Sequence, residues 1–129
     1  MTDLPLYLGV ILVDHGSRRA EANAMLHDVV QMFREVSGAK IVEPAHMELA
    51  EPTLKDAFAA CVEQGAKRVV IHPYFLAPGA HSTTDIPRLA REAAAHHSGL
   101  PYTVTEPLGL HEKMGKIILN RIHDSLDAL

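Results

Sequence analysis

Leu8 to Val13 is a run of Leu, Gly, Val and Ile with no polar position, and it stops at Asp14-His15-Gly16-Ser17. A segment this short, apolar at every position rather than at alternate ones, suits a strand covered on both faces, as in a parallel sheet. Parallel neighbours need long crossovers, so helices must alternate with strands. The following residues supply that alternation. Ala22, Met25, Leu26, Val29, Phe33 and Val36 recur at helical spacing, with Gly38 where a C-cap belongs. Lys40 to Met47 reads as a short extended stretch, weakened as a strand by Pro44. Thr53 caps a helix carrying Leu54, Ala57, Phe58, Cys61 and Val62, which Gly65 stops. Arg68 to Tyr74 is the second clear buried strand. A long loop is predicted over Phe75 to Thr84, then a third helix capped by Asp85, with Pro87 in its first turn and Leu89, Ala90, Ala93 and Ala94 behind it. Tyr102 to Thr105 is a brief fourth strand. The last helix is predicted to bury Met114, Ile117, Ile118, Ile122 and Leu126.

The pattern is βαβαβαβα, without linker, repeat or low-complexity segment, and predicts one α/β domain over residues 1–129. It implies a four-stranded parallel sheet with helices on both faces. Right-handed crossovers restrict the strand order, and 2-1-3-4 is the natural one for four units. The chain then reverses direction beside strand one, and ligands of open α/β sheets bind in that crevice, at the carboxyl ends of the strands.

Composition removes several functions. Twelve Lys and Arg against sixteen Asp and Glu give a formal charge of −4, with no basic run to grip nucleic acid or an anionic membrane. One cysteine, Cys61, leaves no disulfide framework or thiolate zinc cage and suits a reducing, cytoplasmic setting. No stretch approaches the ~18 consecutive apolar residues of a membrane span, and the first residues lack the positive charge of a signal peptide. GxGxxG after the first strand, GxxxxGK[ST], GxSxG and HExxH are all missing, which removes the main support for dinucleotide binding, phosphoryl transfer and serine hydrolysis. Nine histidines remain as the chemical hint.

Two of them fall at the predicted crevice. His15 ends the first strand, and Gly16 lets the chain turn so that a ligand can approach. The plain alternative is a histidine that merely caps the next helix. His81 lies in the long loop after the third strand, longer than the usual ~2–6 residues for such connections. His46, Glu48 and Glu51 end the second strand, and Glu48 could enter the same crevice. Glu51 reads more simply as an acid at a helix N-terminus. Arg18 and Arg19 could hold ligand carboxylates or solvate the start of the first helix, and the first role is favoured for Arg18. His27, His72, His96, His97 and His123 read as background, and His111 stays open.

VILVDHGSR, followed by HMELAEPTLKDAFAACVEQGAKRVVIHPYFLAPGAHSTTDIP, resembles the small sirohydrochlorin chelatases, the class II cobaltochelatase and ferrochelatase family. The resemblance runs from Leu8 to about Pro87 and rests on four motifs in the same order and spacing. It implies a three-layer, flavodoxin-like chelatase fold and insertion of a divalent metal into sirohydrochlorin, for cobalamin or sirohaem. Residue by residue, it makes His15, His81 and Glu48 both catalytic and metal-contacting; Arg18 and Ser17, beside them in the turn, are the expected binding residues. It implies no permanently bound cofactor: Co²⁺, Fe²⁺ or Ni²⁺ enters as substrate. Long members carry two such units in tandem, so a single unit is expected to pair as a homodimer. Asp14 stands where the family usually has Gly. The competing function is a non-catalytic cobalt or nickel carrier using the same histidines. Arg18, Arg19 and Arg88 are candidate local cations for a macrocycle rich in carboxylates.

Overall fold

The structure is a computed structural model that describes residues 4–77, 79–126 and 128, with the backbone alone at 80–83. Its elements run β1 (Leu8–Asp14), α1 (Ala20–Ser37), β2 (Ile41–His46), α2 (Leu54–Glu63), β3 (Arg68–Pro73), α3 (Ala80–Ala94), β4 (Tyr102–Val104) and α4 (Glu112–Leu126). The four strands form one parallel sheet in the order β2-β1-β3-β4, as expected.

β1 is central because every one of its side chains is apolar up to Asp14. Ile11 and Val13 point to one face, where they join Phe58, Cys61, Ile71, Ile86 and Ala90 beneath α2 and α3. Leu8, Val10 and Leu12 point to the other and meet Leu26, Val29, Val30 and Val42 beneath α1. Gly9 is where α2 comes closest: a Cβ there would lie 2.9 Å from the Cβ of Cys61 and 3.1 Å from that of Ala66. Thr53 starts α2 with a reciprocal cap. Its hydroxyl accepts from the Asp56 N–H, and the Asp56 carboxylate accepts from the Thr53 N–H. The acid serving this helix start is therefore Asp56. Gly38 ends α1 in the left-handed region, φ 70°, donating to the Arg34 carbonyl.

Five expectations need correction. Pro44 does not weaken β2, which is regular from Ile41 to His46; β2 is an edge strand, where a residue without an N–H is tolerated. α1 buries Val30 beside Leu26 and Val29, while Met25 and Val36 are exposed. α3 begins at Ala80, so Asp85 is not its cap and Pro87 lies inside it. Ser82, Thr83 and Thr84 favour turns by themselves, but Ile86, Ala90 and Ala93 anchor the helix in the core and the first turn continues from them. His81 consequently belongs to the first turn of α3, and the connection from β3 is only residues 74–79. Finally, α4 buries none of its apolar residues and has no extended packing against another element.

Candidate active site

Three carboxyl ends meet at one edge of the sheet, and backbone hydrogen bonds weld them together. Tyr74 donates to the Val13 carbonyl, Met47 to that of Asp14 and Glu48 to that of His15, at 2.7, 2.8 and 3.1 Å. The last bond brings the segment after β2 directly under the His15 turn. Gly16 is what permits it. Its φ is 88°, and a Cβ on it would fall 1.9 Å from the Glu48 carbonyl oxygen. No other residue type fits both the conformation and the space.

The turn is held in shape from α1. Asn23 accepts the Ser17 N–H at 2.9 Å and returns its amide to the Ser17 carbonyl at 2.7 Å. The Ser17 hydroxyl accepts from the Arg19 N–H at 3.0 Å. α1 starts after Arg19 without any side-chain cap, so His15 does not serve as one. Instead its imidazole stacks on Phe75, with centroids 4.1 Å apart and an interplanar angle of 26°. Exposed and braced by a buried ring, His15 faces a cavity of about 450 Å³ between the ends of β1 and β3. Asp14, Gly16 and Ser17 line one side, and Tyr74, Phe75 and Leu76 the other. This is the switch-point crevice the strand order requires.

Below the crevice lies a feature the sequence reading did not find. Asp14 and His46 are paired in register on β1 and β2, and their side chains meet at 2.6 Å, Nδ1 to Oδ1. The His46 ring is fully buried, and its Nε2 is buried with no partner among the described residues. The pair fixes one oxygen of the acid next to His15. The available signal was that both strands end on a titratable residue.

The expected site residues are therefore distributed unevenly. His15 and Ser17 line the cavity. Glu48 is tied to His15 through the backbone, its side chain is exposed, and it does not line the cavity. Arg18 is exposed and makes no ion pair among the described residues, whereas Arg19 is engaged by Glu21 at 2.9 Å. Arg88 is taken up by Asp85 and Glu92. The His81 imidazole lies outside the described residues. Among those that are described, no three His, Cys, Asp or Glu residues converge on a metal position. No helix among them is long and apolar enough to cross a membrane.

An open parallel sheet with a histidine turn at its switch point defines an α/β domain built to receive a ligand at the ends of β1 and β3. The CbiX family model matches residues 9–125, and the chain belongs to that family. It is 57% identical over 118 residues to the chloroplastic sirohydrochlorin ferrochelatase of Arabidopsis thaliana, covering 92% of this chain and 52% of that one. A cobalamin (vitamin B12) biosynthesis CbiX protein from Marinobacter aquaeolei VT8 superposes with TM-score 0.80 at 28% identity, covering 95% of this chain and 99% of the other. The sirohydrochlorin chelatase SirB of Bacillus subtilis subspecies spizizenii, solved in complex with cobalt, gives TM-score 0.82 at 30% identity, covering 91% and 50%. The chain spans about half the length of the first curated relatives it matches.

Proposed function

We propose that the protein inserts a divalent metal, Co²⁺ or Fe²⁺, into sirohydrochlorin, and that its crevice is the seat of that reaction. The observation that carries this reading is the His15 turn: an exposed imidazole stacked on Phe75, on a backbone whose carbonyl accepts the Glu48 N–H in an approach that only Gly16 allows. The relatives' names, and the cobalt held by the Bacillus chelatase, support the substrate classes.

Insertion replaces two pyrrole N–H protons with one cation, so two protons must leave as the metal enters. A neutral imidazole, with an ordinary pKa of ~6.5, can accept a proton near neutrality and can also ligate a borderline cation. His15 is assigned both roles, and His81 is assigned as the second imidazole. The Glu48 carboxylate, exposed to solvent, is assigned to pass protons onward. Arg18 and Ser17 meet the substrate's carboxylates. Imidazole with carboxylate accepts Co²⁺, Fe²⁺ and Ni²⁺ alike, so the ligands themselves do not choose the metal. No cofactor is permanently held, and the working unit is a homodimer.

Mixing protein, sirohydrochlorin and Co²⁺, and following the macrocycle's visible spectrum against the spontaneous rate, tests the reading. His15→Ala is expected to lower the enzymatic rate by ~10²-fold or more. Glu48→Gln, which keeps shape and removes charge, is expected to slow insertion while leaving the thermal midpoint nearly unchanged. A wild-type rate equal to the spontaneous one, with Co²⁺ still bound, gives the carrier instead.

A further inference from the structure

A doubly charged cation entering the crevice meets one carboxylate on its walls. Among the described residues that line the cavity, Asp14 is the single Asp, Glu, Lys or Arg. Ser17, Asn23 and Tyr74 are polar and uncharged there, and Phe75 and Leu76 are apolar. Glu48, the other acid close to the His15 turn, lies outside that lining.

The Asp14 carboxylate is held in place. It stands at the end of β1 in register with His46 on β2, and its Oδ1 accepts from the His46 Nδ1–H at 2.6 Å. The ring nitrogen is the donor because a carboxylate oxygen only accepts. The His46 side chain is wholly buried, whereas the Asp14 side chain keeps 22% of its surface exposed. The bond therefore reaches from the interior outwards and leaves the second carboxylate oxygen for the crevice. The other ring nitrogen, Nε2, is buried without a partner among the described residues. With nothing there to pass a proton to, His46 holds the acid and does not relay protons from it. A second proton on Nε2 would be buried without an acceptor, so the pair carries the carboxylate's negative charge. An apolar residue at position 46 would leave no such unsatisfied atom. What the histidine adds is a donor that sets the carboxylate.

A carboxylate oxygen and an imidazole nitrogen on consecutive residues suit Co²⁺ and Fe²⁺ alike. Among the described residues no third His, Cys, Asp or Glu joins them at a metal position, and a cation held by two side chains is free to move on. The charge has the wrong sign for the carboxylates of the macrocycle, which assigns it to the metal. We propose that Asp14 takes up the divalent cation beside His15 before insertion, with His46 as the positioning residue that holds its carboxylate. The role in turnover rests on the metal-insertion reading; cation binding by Asp14 is testable without the macrocycle.

Calorimetric titration of the full chain with Co²⁺ alone reads binding apart from insertion. Asp14→Asn keeps the shape and an acceptor for His46 while removing the charge. It is expected to raise the Co²⁺ dissociation constant ~30-fold, the scale of one carboxylate's attraction for a dication at close range in water. Asp14→Ser serves as a second variant with the same expectation. His46→Leu keeps the acid but removes its donor, and is expected to raise the constant ~10-fold. His46→Asn, whose amide can donate from the place of Nδ1, is expected to restore most of the affinity. Glu35→Gln, which removes an exposed acid of α1 outside the cavity lining, is expected to leave the constant unchanged. In the insertion assay, Asp14→Asn is expected to raise KM for Co²⁺ more than it changes KM for sirohydrochlorin. An unchanged Co²⁺ constant in both Asp14 variants, an equal loss in Glu35→Gln, or a loss in His46→Leu that His46→Asn does not repair overturns the proposal. Co²⁺ binding that depends on Asp14 and His46, with insertion no faster than the spontaneous rate, upholds the cation site and overturns the metal-insertion reading instead.

Discussion

The two faces of the sheet carry similar side chains and reach opposite ends. Along β3, Val69, Ile71 and Pro73 are buried beneath α2 and α3, while Val70 and His72, one residue over, are only half-buried. The first face has two helices over it and the second has one. The alternation arises from period-2 geometry acting on an apolar strand whose two sides are unequally covered. Strand sequence determines how apolar each face is; coverage is decided elsewhere, by which helices the chain lays over it.

That contrast can be broken by substitution. Phe58 is fully buried on the closed face, stacked near His97 and edge-on to Tyr102. Phe58→Ala is expected to cost ~3–5 kcal/mol, read as a lowered urea midpoint. Val70→Ala, on the half-covered face, is expected to cost ~1 kcal/mol or less. Equal costs at the two sites would show that the open face is covered within one chain.

The smallest effect sharpens the comparison through pH. Burial holds the His72 imidazole below the ordinary histidine value, partly offset by its hydrogen bonding with the backbone of Glu106. The unfolded chain therefore binds the proton more readily than the folded one. Stability from this residue is fully present above the unfolded pKa of ~6.5 and is lost as pH falls through the folded value. The thermal midpoint is expected to drop as pH is lowered below ~6.5, and His72→Gln is expected to shallow that drop. A steeper drop in the variant would reverse the sign and place the charged form as the favoured one.

Much of this architecture was legible in the sequence because β1 and β3 are apolar at consecutive positions, and α2 carries its cap and stop residues. The same residues gave the crevice: His15 follows a buried strand, and its Gly16 is required by the close approach of Glu48. Other features depend on partners distant in sequence. The Asp14–His46 pair exists only once β1 and β2 are in register. The first turn of α3 runs through Ser82 and Thr83, whose own preferences argue for a loop. For α4, the stripe of Ile117, Ile118 and Ile122 suggested a buried face, yet none of these residues is buried, because periodicity carries no information about whether a surface is there to receive it.

Cys61 sits against Gly9 under α2, with no solvent exposure, and burial together with nearby Glu43 pushes its thiol up to about 12. Only the thiolate reacts with alkylating reagents, so this sulfur is silent while α2 stays seated on the sheet. Its modification rate at neutral pH therefore counts openings of the closed face. The chain carries its own clock for those openings, needing no introduced label.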